Sequence, residues 1–360
     1  MRSRWTAIAG ALGAVVAVAG CTAPSNDDTS TAASPSATAN TAAMTSTLDF
    51  IKDGIPKATG TRIAYLAECV TENSYCQTRL QGAQAAADAA GAELVVFNAG
   101  FDTSKQLQQV QDSVQSGYDA YVFSPVADAP GCSDFALLKA TGKPVATINS
   151  PMCGNQDYTP GTAGFVAMQT ESYFLDHLRN AFASCTDNCK AVAVGGYLGT
   201  DLYERWESAL EQAKKEYPKV DVVSAQPGDF DPSTALKVVQ DALTTNPDIS
   251  VVVSSWDDMT RGAAEAVTAA GKTPGTDVRI YSIGGTKAAA TEIAAGRWTE
   301  SSALLPYEES YYGVIQAVRA QTTGEQTPGF TSLAQAPAIT DGPGTVLLTK
   351  DNIDRFQPRY

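Results

Sequence analysis

Residues 226–270 contain a helix, a strand and a second helix in close succession, and this restricts the fold more than any other stretch. Asp231 followed by Pro232 is typical of a helix N-terminus, because Asp caps free backbone amides and Pro fits the first turn. Apolar residues then recur at helical spacing up to a turn at residues 246–248. Residues 249–253 are a short β-branched run, typical of a strand buried on both faces. The segment therefore predicts an α/β protein with a parallel sheet.

Aromatic and acidic side chains follow this strand at the point where it ends. Trp256, Asp257 and Asp258 come directly after it, and Phe230 lies in the loop before the first helix. Open α/β sheets bind ligands at the carboxyl ends of their strands, so these residues are predicted to form a site. One of the two acids is also expected to cap the next helix.

The same alternation of strands and helices runs through the chain from residue 62. Strands are predicted at residues 62–67, 93–98, 119–124, 144–149, 191–196, 220–225, 249–253 and 277–283. A loop rich in Gly, Pro and Thr interrupts the pattern at residues 151–164, and a helix is predicted at 166–183. The folded part, about 310 residues, is long for one core. The chain therefore predicts two similar lobes, each a doubly wound parallel sheet.

The first 47 residues predict export and a flexible tether. Arg2 and Arg4 precede a charge-free apolar run at residues 7–20, which is typical of a signal peptide and too short for a membrane span of about 20 residues. The small residues before Cys21 resemble a bacterial lipobox, which implies a signal peptide of residues 1–21, cleavage before Cys21 and lipid on that residue. An ordinary secretory signal with a chance Cys is the alternative. Residues 22–47 lack large apolar side chains and predict a tether, with the folded part starting near Leu48.

The net charge is −14 without a cluster of Lys or Arg, which argues against nucleic acid and anionic lipid as partners.

Seven cysteines leave six when Cys21 is set aside, and an even number in an exported protein indicates disulfides. Six cysteines allow fifteen pairings. Proximity in sequence favours Cys69–Cys76 and Cys185–Cys189, which leaves Cys132–Cys153. A zinc site is the competing interpretation, but there is no CxxC pair and a single His, His177.

The opening segment also resembles a known family. Residues 226–231 (QPGDFD), 246–248 (NPD), 257–259 (DDM) and 262–263 (GA) resemble, in order and spacing, type I periplasmic solute-binding proteins of the ribose-binding kind. The looser pattern continues from about Arg62 to Ser332. The resemblance implies a lipid-anchored, extracytoplasmic monomer that captures a small solute, a sugar or polyol, between two lobes and delivers it to an ABC permease.

The resemblance also implies a three-segment hinge. The N-terminal lobe would comprise residues 48–162 plus 306–334, and the C-terminal lobe residues 163–305 plus 335–360. The chain would cross near residue 160, again at residues 298–304, and a third time at 335–340. Hinge residues of this kind absorb the motion of two lobes.

Site residues are carried over from the family position by position. Asn73 and Tyr75 lie in the first loop, Phe230 matches an aromatic that packs on the ligand, and Trp256 replaces an Asn. Several family anchors are absent. Asn149-Ser150 replaces an Asp-Arg pair of the family, Gly284 replaces an Asp, and Leu304 replaces a Gln. Arg205 is one position out of register with a family Arg. The predicted ligand-binding residues are Asn73, Tyr75, Asn149, Ser150, Arg205, Phe230, Trp256, Asp257 and Gly284.

Fewer polar anchors and an added Trp leave room for a less hydroxylated, aromatic or cationic solute as an alternative. No enzymatic motif is present, His177 lies among apolar residues of a predicted helix, and no cofactor or metal is expected. A surface sensor for a membrane receptor, with the same fold and ligand, is the alternative of a different class.

Overall fold

The computed structural model describes residues 44–46, 54–155, 157–327, 329–333 and 347–360. The predicted signal peptide with Cys21, most of the tether and the third crossing at residues 335–340 lie outside these ranges. Within the predicted tether, Met44–Ser46 form a strand, so the folded part begins before Leu48. Among the described residues, no helix is both long and apolar enough for a membrane span.

Strands and helices alternate along the described chain. The first part contains β1 (Met44–Ser46), β2 (Arg62–Ala67), α1 (Ser74–Ala90), β3 (Glu93–Asn98), α2 (Thr103–Ser116), β4 (Ala120–Phe123), α3 (Asp128–Ala140), β5 (Val145–Asn149), β6 (Gly164–Ala167), α4 (Glu171–Ala183) and β7 (Cys189–Gly195). The second part contains α5 (Asp201–Glu216), β8 (Val220–Pro227), α6 (Pro232–Thr245), β9 (Ile249–Ser254), α7 (Asp257–Ala269), β10 (Arg279–Gly284), α8 (Lys287–Ala294), β11 (Glu300–Ala303), α9 (Pro306–Thr323), β12 (Phe330–Ser332) and β13 (Leu347–Thr349).

The described strands form two sheets, one in each lobe. The first has the order β1-β12-β6-β5-β4-β2-β3, and all of its neighbouring pairs are parallel. The second has the order β13-β11-β10-β9-β7-β8, and β13 is its antiparallel edge. Every residue of β4 and β5 is buried, as expected for strands that helices cover on both faces. This confirms the predicted fold class of two doubly wound α/β lobes.

Two short strands lie where the sequence predicts other structure. The predicted helix at residues 166–183 begins only at Glu171, because Gly164–Ala167 form β6 and pair with β5 of the first sheet. The first lobe therefore extends to Ala167, beyond the predicted boundary at residue 162. The predicted crossing at 298–304 contains β11, which pairs with β10, so the chain crosses after Ala303. Segments of four residues are too short for periodicity to reveal whether they are helix or strand.

The structure confirms the two disulfides favoured by proximity in sequence and the third pair that they leave. The bridges Cys69–Cys76, Cys132–Cys153 and Cys185–Cys189 have Cα–Cα distances of 5.5, 4.9 and 6.0 Å, all within the usual range. The first closes the loop between β2 and α1. The second ties α3 to the loop after β5, and both bridges therefore stiffen loops at the carboxyl edge of the first sheet.

Candidate functional site

A cavity of about 710 Å³ lies between the two lobes and is lined by loops at the carboxyl ends of both sheets. Its lining includes acidic side chains and a larger number of aromatic ones. The aromatic residues are Tyr75, Phe101, Phe174, Tyr197, Trp206, Phe230 and Trp256. The acidic residues are Glu68, Glu72, Asp128, Asp201 and Asp258, and Arg205 is the one Lys or Arg in this lining. The volume is that of a small-molecule site.

Phe230 reaches the cavity from a strained loop. Asp229 and Phe230 have φ values of 55° and 50°, in the left-handed region that non-glycine residues seldom adopt. The ring of Phe230 packs edge to face on Tyr197, with centroids 5.3 Å apart, and covers the backbone of Gly196. Asp231 fixes the end of the loop, because its carboxylate accepts a hydrogen bond from the Thr234 amide at 2.7 Å. Such strain is typical of functional sites.

Tyr75 of the first lobe and Trp256 of the second meet at the cavity. Their rings are edge to face with centroids 6.1 Å apart, and Tyr360 stacks on Trp256 at 6.2 Å. The Tyr75 hydroxyl donates to Glu309 Oε2 at 2.6 Å, and the Tyr360 hydroxyl donates to the Gly284 carbonyl at 2.7 Å. These rings therefore form an aromatic contact between the lobes, and sequence reasoning did not identify Tyr360 as part of it.

Asn73 lines the cavity and also has a structural role. Its Oδ1 accepts a hydrogen bond from the Cys76 amide at 2.9 Å, which caps helix α1. The other carboxamide atom is not needed for the cap. Asn73 is thus placed at the predicted site, with one of its two polar groups already used.

Polar contacts join the lobes across the cavity. The guanidinium of Arg205 donates from Nη2 to Ser150 Oγ at 3.0 Å. The amide of Asp128 donates to the carboxylate of Asp201. Asn149 lies beside Ser150 with φ of 70°, another strained residue at the end of a strand. Asn149, Ser150 and Arg205 all line the cavity, and their contact with a ligand stays a prediction.

A buried charge cluster lies behind the first-lobe wall. Arg79 pairs with Glu68, and its Nε lies 3.4 Å from Glu309 Oε1. Asn149 Nδ2 donates to Glu68 Oε1 at 3.1 Å. Burial raises the pKa of Glu309 to about 7, against the opposing effects of Arg79 and the Tyr75 hydroxyl. The sequence could have identified Glu68 as a residue near the site, because it directly follows a predicted strand. Arg79 and Glu309 lie on helices, and their positions in the sequence do not indicate a place near the site.

Two predicted site residues do not line the cavity. Asp257 is buried and accepts hydrogen bonds from Ser282 Oγ, from the Thr286 amide at 2.8 Å and from Ser301 Oγ at 3.1 Å. Burial raises its pKa to about 6. Gly284 has φ of 149°, and a Cβ there would lie 2.4 Å from the Asp257 carboxylate. The structure therefore corrects the prediction that Asp257 and Gly284 line the ligand site. Asp257 instead forms hydrogen bonds with residues at and after the ends of strands β10 and β11, around Gly284. Asp258, one residue further round helix α7, lines the cavity instead.

The family model of the periplasmic binding protein domain matches residues 63–326, which is most of the chain. The chain belongs to this family. The match runs from β2 to the residues after α9 and therefore includes both lobes and the cavity between them.

Two relatives align with this periplasmic binding protein over about 250 residues each. The ribose import binding protein of Haemophilus influenzae is 26% identical over 253 residues, 70% of this chain and 83% of the relative. The xylitol-binding protein of Mycolicibacterium smegmatis is 25% identical over 248 residues, 68% of this chain and 67% of the relative. These relatives are binding proteins and not enzymes, in agreement with the prediction that this chain is not an enzyme.

A solved structure shows the same fold. A periplasmic ribose ABC transporter protein from Conexibacter woesei superposes with a TM-score of 0.70 at 18% identity, over 83% of this chain and 95% of that one. At this identity the likeness concerns the fold, which is that of a two-lobed periplasmic binding protein.

Proposed function

We propose that this chain is the substrate-binding lipoprotein of an ABC importer and captures a sugar or polyol by closure of its two lobes. The observation that carries the proposal is the cavity between the lobes, to which each lobe contributes aromatic side chains, Tyr75 from one and Trp256 from the other. A ligand that contacts both lobes favours the closed form over the open one, because it binds the closed form more tightly.

The relatives support the ligand class. Those compared above are described as binding ribose or xylitol, both polyhydroxylated and neutral. Aromatic rings suit such ligands, because the C–H face of a sugar packs on a flat apolar surface. Phe230 and Trp256 both line the cavity, and we expect their rings to make this contact.

One observation favours a second ligand class. Five carboxylates line the cavity against one guanidinium, that of Arg205. A cation above Trp256 or Phe230 would be attracted by both the rings and the acids.

Export and anchoring complete the proposal. The sequence of residues 1–21 and the family support an extracytoplasmic protein, with lipid on Cys21 holding it beside its permease. The three disulfides agree with an oxidising compartment.

Native mass spectrometry of protein purified without refolding tests the proposal directly. We expect a retained neutral solute of sugar or polyol mass, and titration of that solute should change the fluorescence of Trp256. Retention of an amine would favour the second class. A protein that neither retains nor binds any sugar, polyol or amine would contradict solute capture.

The variant Phe230→Ala tests the aromatic wall. Loss of the ring should weaken binding of the identified solute by about tenfold or more, since a buried aromatic contact contributes about 2 kcal/mol. Phe101→Ala is the control, because Phe101 also lines the cavity but is 53% exposed. Equal affinity of wild type and Phe230→Ala would contradict the proposed role of this ring.

A further inference from the structure

Arg359 binds the first lobe, although it follows strand β13 of the second sheet. Its Nε donates to Glu308 Oε1 at 2.8 Å, and its Cζ lies 4.1 Å from the centre of the Tyr307 ring. Both partners belong to the first turn of helix α9, which packs on α1 of the first lobe. The segment after β13 thus returns to the opposite lobe.

Tyr360, the next residue, binds the second lobe at two points. Its hydroxyl donates to the carbonyl of Gly284, at the end of β10, and its own carbonyl accepts from the Lys287 amide at 2.8 Å. Consecutive Cα atoms are only about 3.8 Å apart. The start of α9 and the end of β10 therefore cannot move far apart while the contacts of both Arg359 and Tyr360 hold.

The ring of Tyr360 also lies against Trp256. These two rings are stacked with centroids 6.2 Å apart, and Tyr75 of the first lobe meets Tyr360 edge to face at 6.1 Å. Trp256 lines the cavity between the lobes, whereas Tyr360 does not. The Trp256 side chain makes no capping hydrogen bond at the start of α7, so we expect packing on these rings to orient its indole.

We propose that Arg359 and Tyr360 link the two lobes non-covalently and that Tyr360 is a positioning residue, which holds the Trp256 ring in its orientation at the cavity. The inference deepens the proposed function and rests on it, because the orientation of Trp256 matters only if the cavity takes a solute. Tyr360 acts through Trp256 and needs no contact with that solute. Separation of the lobes must break the Arg359 contacts or draw Tyr360 away from Trp256, so it alters the cavity wall.

We expect the contact of Arg359 with Glu308 to be stronger than an ordinary surface ion pair. The Arg359 side chain is 42% exposed, so solvent weakens its attraction, but the Glu308 side chain is only 4% exposed. Burial raises the pKa of Glu308, and the Arg359 charge opposes this rise. Without Arg359 the Glu308 carboxylate would be buried and uncompensated, which is costly. The Tyr307 ring adds a cation–π attraction to the same guanidinium.

Other residues hold this segment on the second lobe, so variants at positions 359 and 360 test the link without detaching the segment. Ile353 and Phe356 are each 8% exposed and pack in the hydrophobic core. Asn352 Nδ2 donates to the Leu347 carbonyl of β13 at 2.8 Å. The segment should therefore stay in place when Arg359 or Tyr360 is replaced.

Fluorine NMR of the full chain in detergent measures the surroundings of Trp256 directly. The protein is labelled with 5-fluorotryptophan and freed of retained solute, and native mass spectrometry verifies that none remains. The Trp256 resonance is the one that disappears in Trp256→Phe. Trp206 and Trp298, only 3% and 2% exposed, give reference resonances that report on the fold.

Replacement of Tyr360 tests its role as a positioning residue. Tyr360→Ala should shift the Trp256 resonance, because the stacked ring is lost. Tyr360→Phe keeps the ring and loses only the hydrogen bond to Gly284, so it should shift the resonance less. The Trp206 and Trp298 resonances should not move in either variant.

Replacement of Arg359 tests the connection to the first lobe. Arg359→Ala should broaden or split the Trp256 resonance, because the lobes are less restrained. Arg355→Ala is the matched control and should leave that resonance unchanged, since Arg355 is exposed on the same segment. When Tyr360→Ala is already present, Arg359→Ala should have no further effect, because the link is already broken.

Each outcome bears on a different claim. An unchanged Trp256 resonance in Tyr360→Ala would show that Tyr360 does not position Trp256. A spectrum of Arg359→Ala that matches that of Arg355→Ala would show that Arg359 does not link the lobes. Equal shifts of the Trp298 and Trp256 resonances would mean a general change of the fold, which also contradicts the proposal. These spectra need no solute, so a protein that binds no sugar, polyol or amine would contradict the proposed function without altering them.

Discussion

Several buried acids of this protein hold their protons more tightly than usual. Burial raises the pKa of Glu300 and of Glu309 to about 7, and that of Asp134 and of Asp257 to about 6. Burial lowers the pKa of His177 to about 3, so this residue stays neutral in the fold. The shared cause is the cost of placing a charge away from water.

Glu300 gives the clearest pH prediction, because it lies apart from the Arg79 cluster. Its folded pKa of about 7 is above its usual 4.5, so its contribution to stability is greatest below pH 4.5 and is lost as pH rises through 7. Wild type should therefore lose free energy of unfolding between pH 5 and pH 8. In Glu300→Gln this loss should be smaller by on the order of 2 kcal/mol.

Urea unfolding at several pH values checks this expectation. The readout is the change with pH, which does not depend on any constant effect of the Gln side chain. Glu265→Gln, on the exposed face of α7, should leave the pH dependence unchanged. Identical pH dependence in wild type and Glu300→Gln would show that Glu300 does not titrate in this range.

At the scale of elements, a glycine brings two helices together in each lobe. In the second lobe, a Cβ on Gly262 of α7 would lie 1.8 Å from the Pro232 carbonyl oxygen of α6. In the first lobe, a Cβ on Gly82 of α1 would lie 2.0 Å from the Tyr307 carbonyl oxygen of α9. In both places the other helix's backbone occupies the position of the missing side chain, so larger residues must push the helices apart.

Gly262→Ala should destabilise the protein by about 1–3 kcal/mol. The added methyl group forces α6 and α7 apart, and this outweighs the gain of nearly 1 kcal/mol in helix propensity. Chemical unfolding measures the difference. Thr268→Ala, at an exposed position of the same helix, is the control and should change stability by less than about 0.5 kcal/mol. An unchanged unfolding midpoint for Gly262→Ala would contradict this packing.

Elements were predictable where the periodic pattern was long. Strands β2 and β3 match their predicted ranges at both ends. The short strands β6 and β11 were missed, because pairing with neighbours distant in sequence decides their conformation.

At the scale of the molecule, the chain passes between its lobes by short connections. Residues 168–170 lead from β6 to α4, and residues 304–305 lead from β11 to α9. A further passage lies between β12 of the first sheet and β13 of the second. The two connections that lie wholly within the described residues are only three and two residues long. We therefore expect the cavity contacts, rather than these connections, to favour the closed arrangement.

Anchoring is also a property of the whole molecule, and Cys21→Ser tests it. In an expressing bacterium grown with labelled palmitate, wild type should carry the label and Cys21→Ser should not. The double variant Cys185→Ser/Cys189→Ser, which removes a disulfide of the fold, should keep the label. Absence of label from wild type would contradict the lipoprotein proposal and favour an ordinary secretory signal.

The sequence by itself determined the two-lobed α/β architecture and the strand ends that meet at the cavity, and it favoured two of the three disulfide pairs. Those features follow from periodicity and from order along the chain. It did not distinguish Asp257 from Asp258, because adjacent residues at a helix start differ only in the direction of their side chains. Nor did it indicate that Arg79 and Glu309 support Glu68, since residues on separate helices meet only when α1 packs on α9. Tertiary structure decided these points, because burial and side-chain direction depend on contacts distant in sequence.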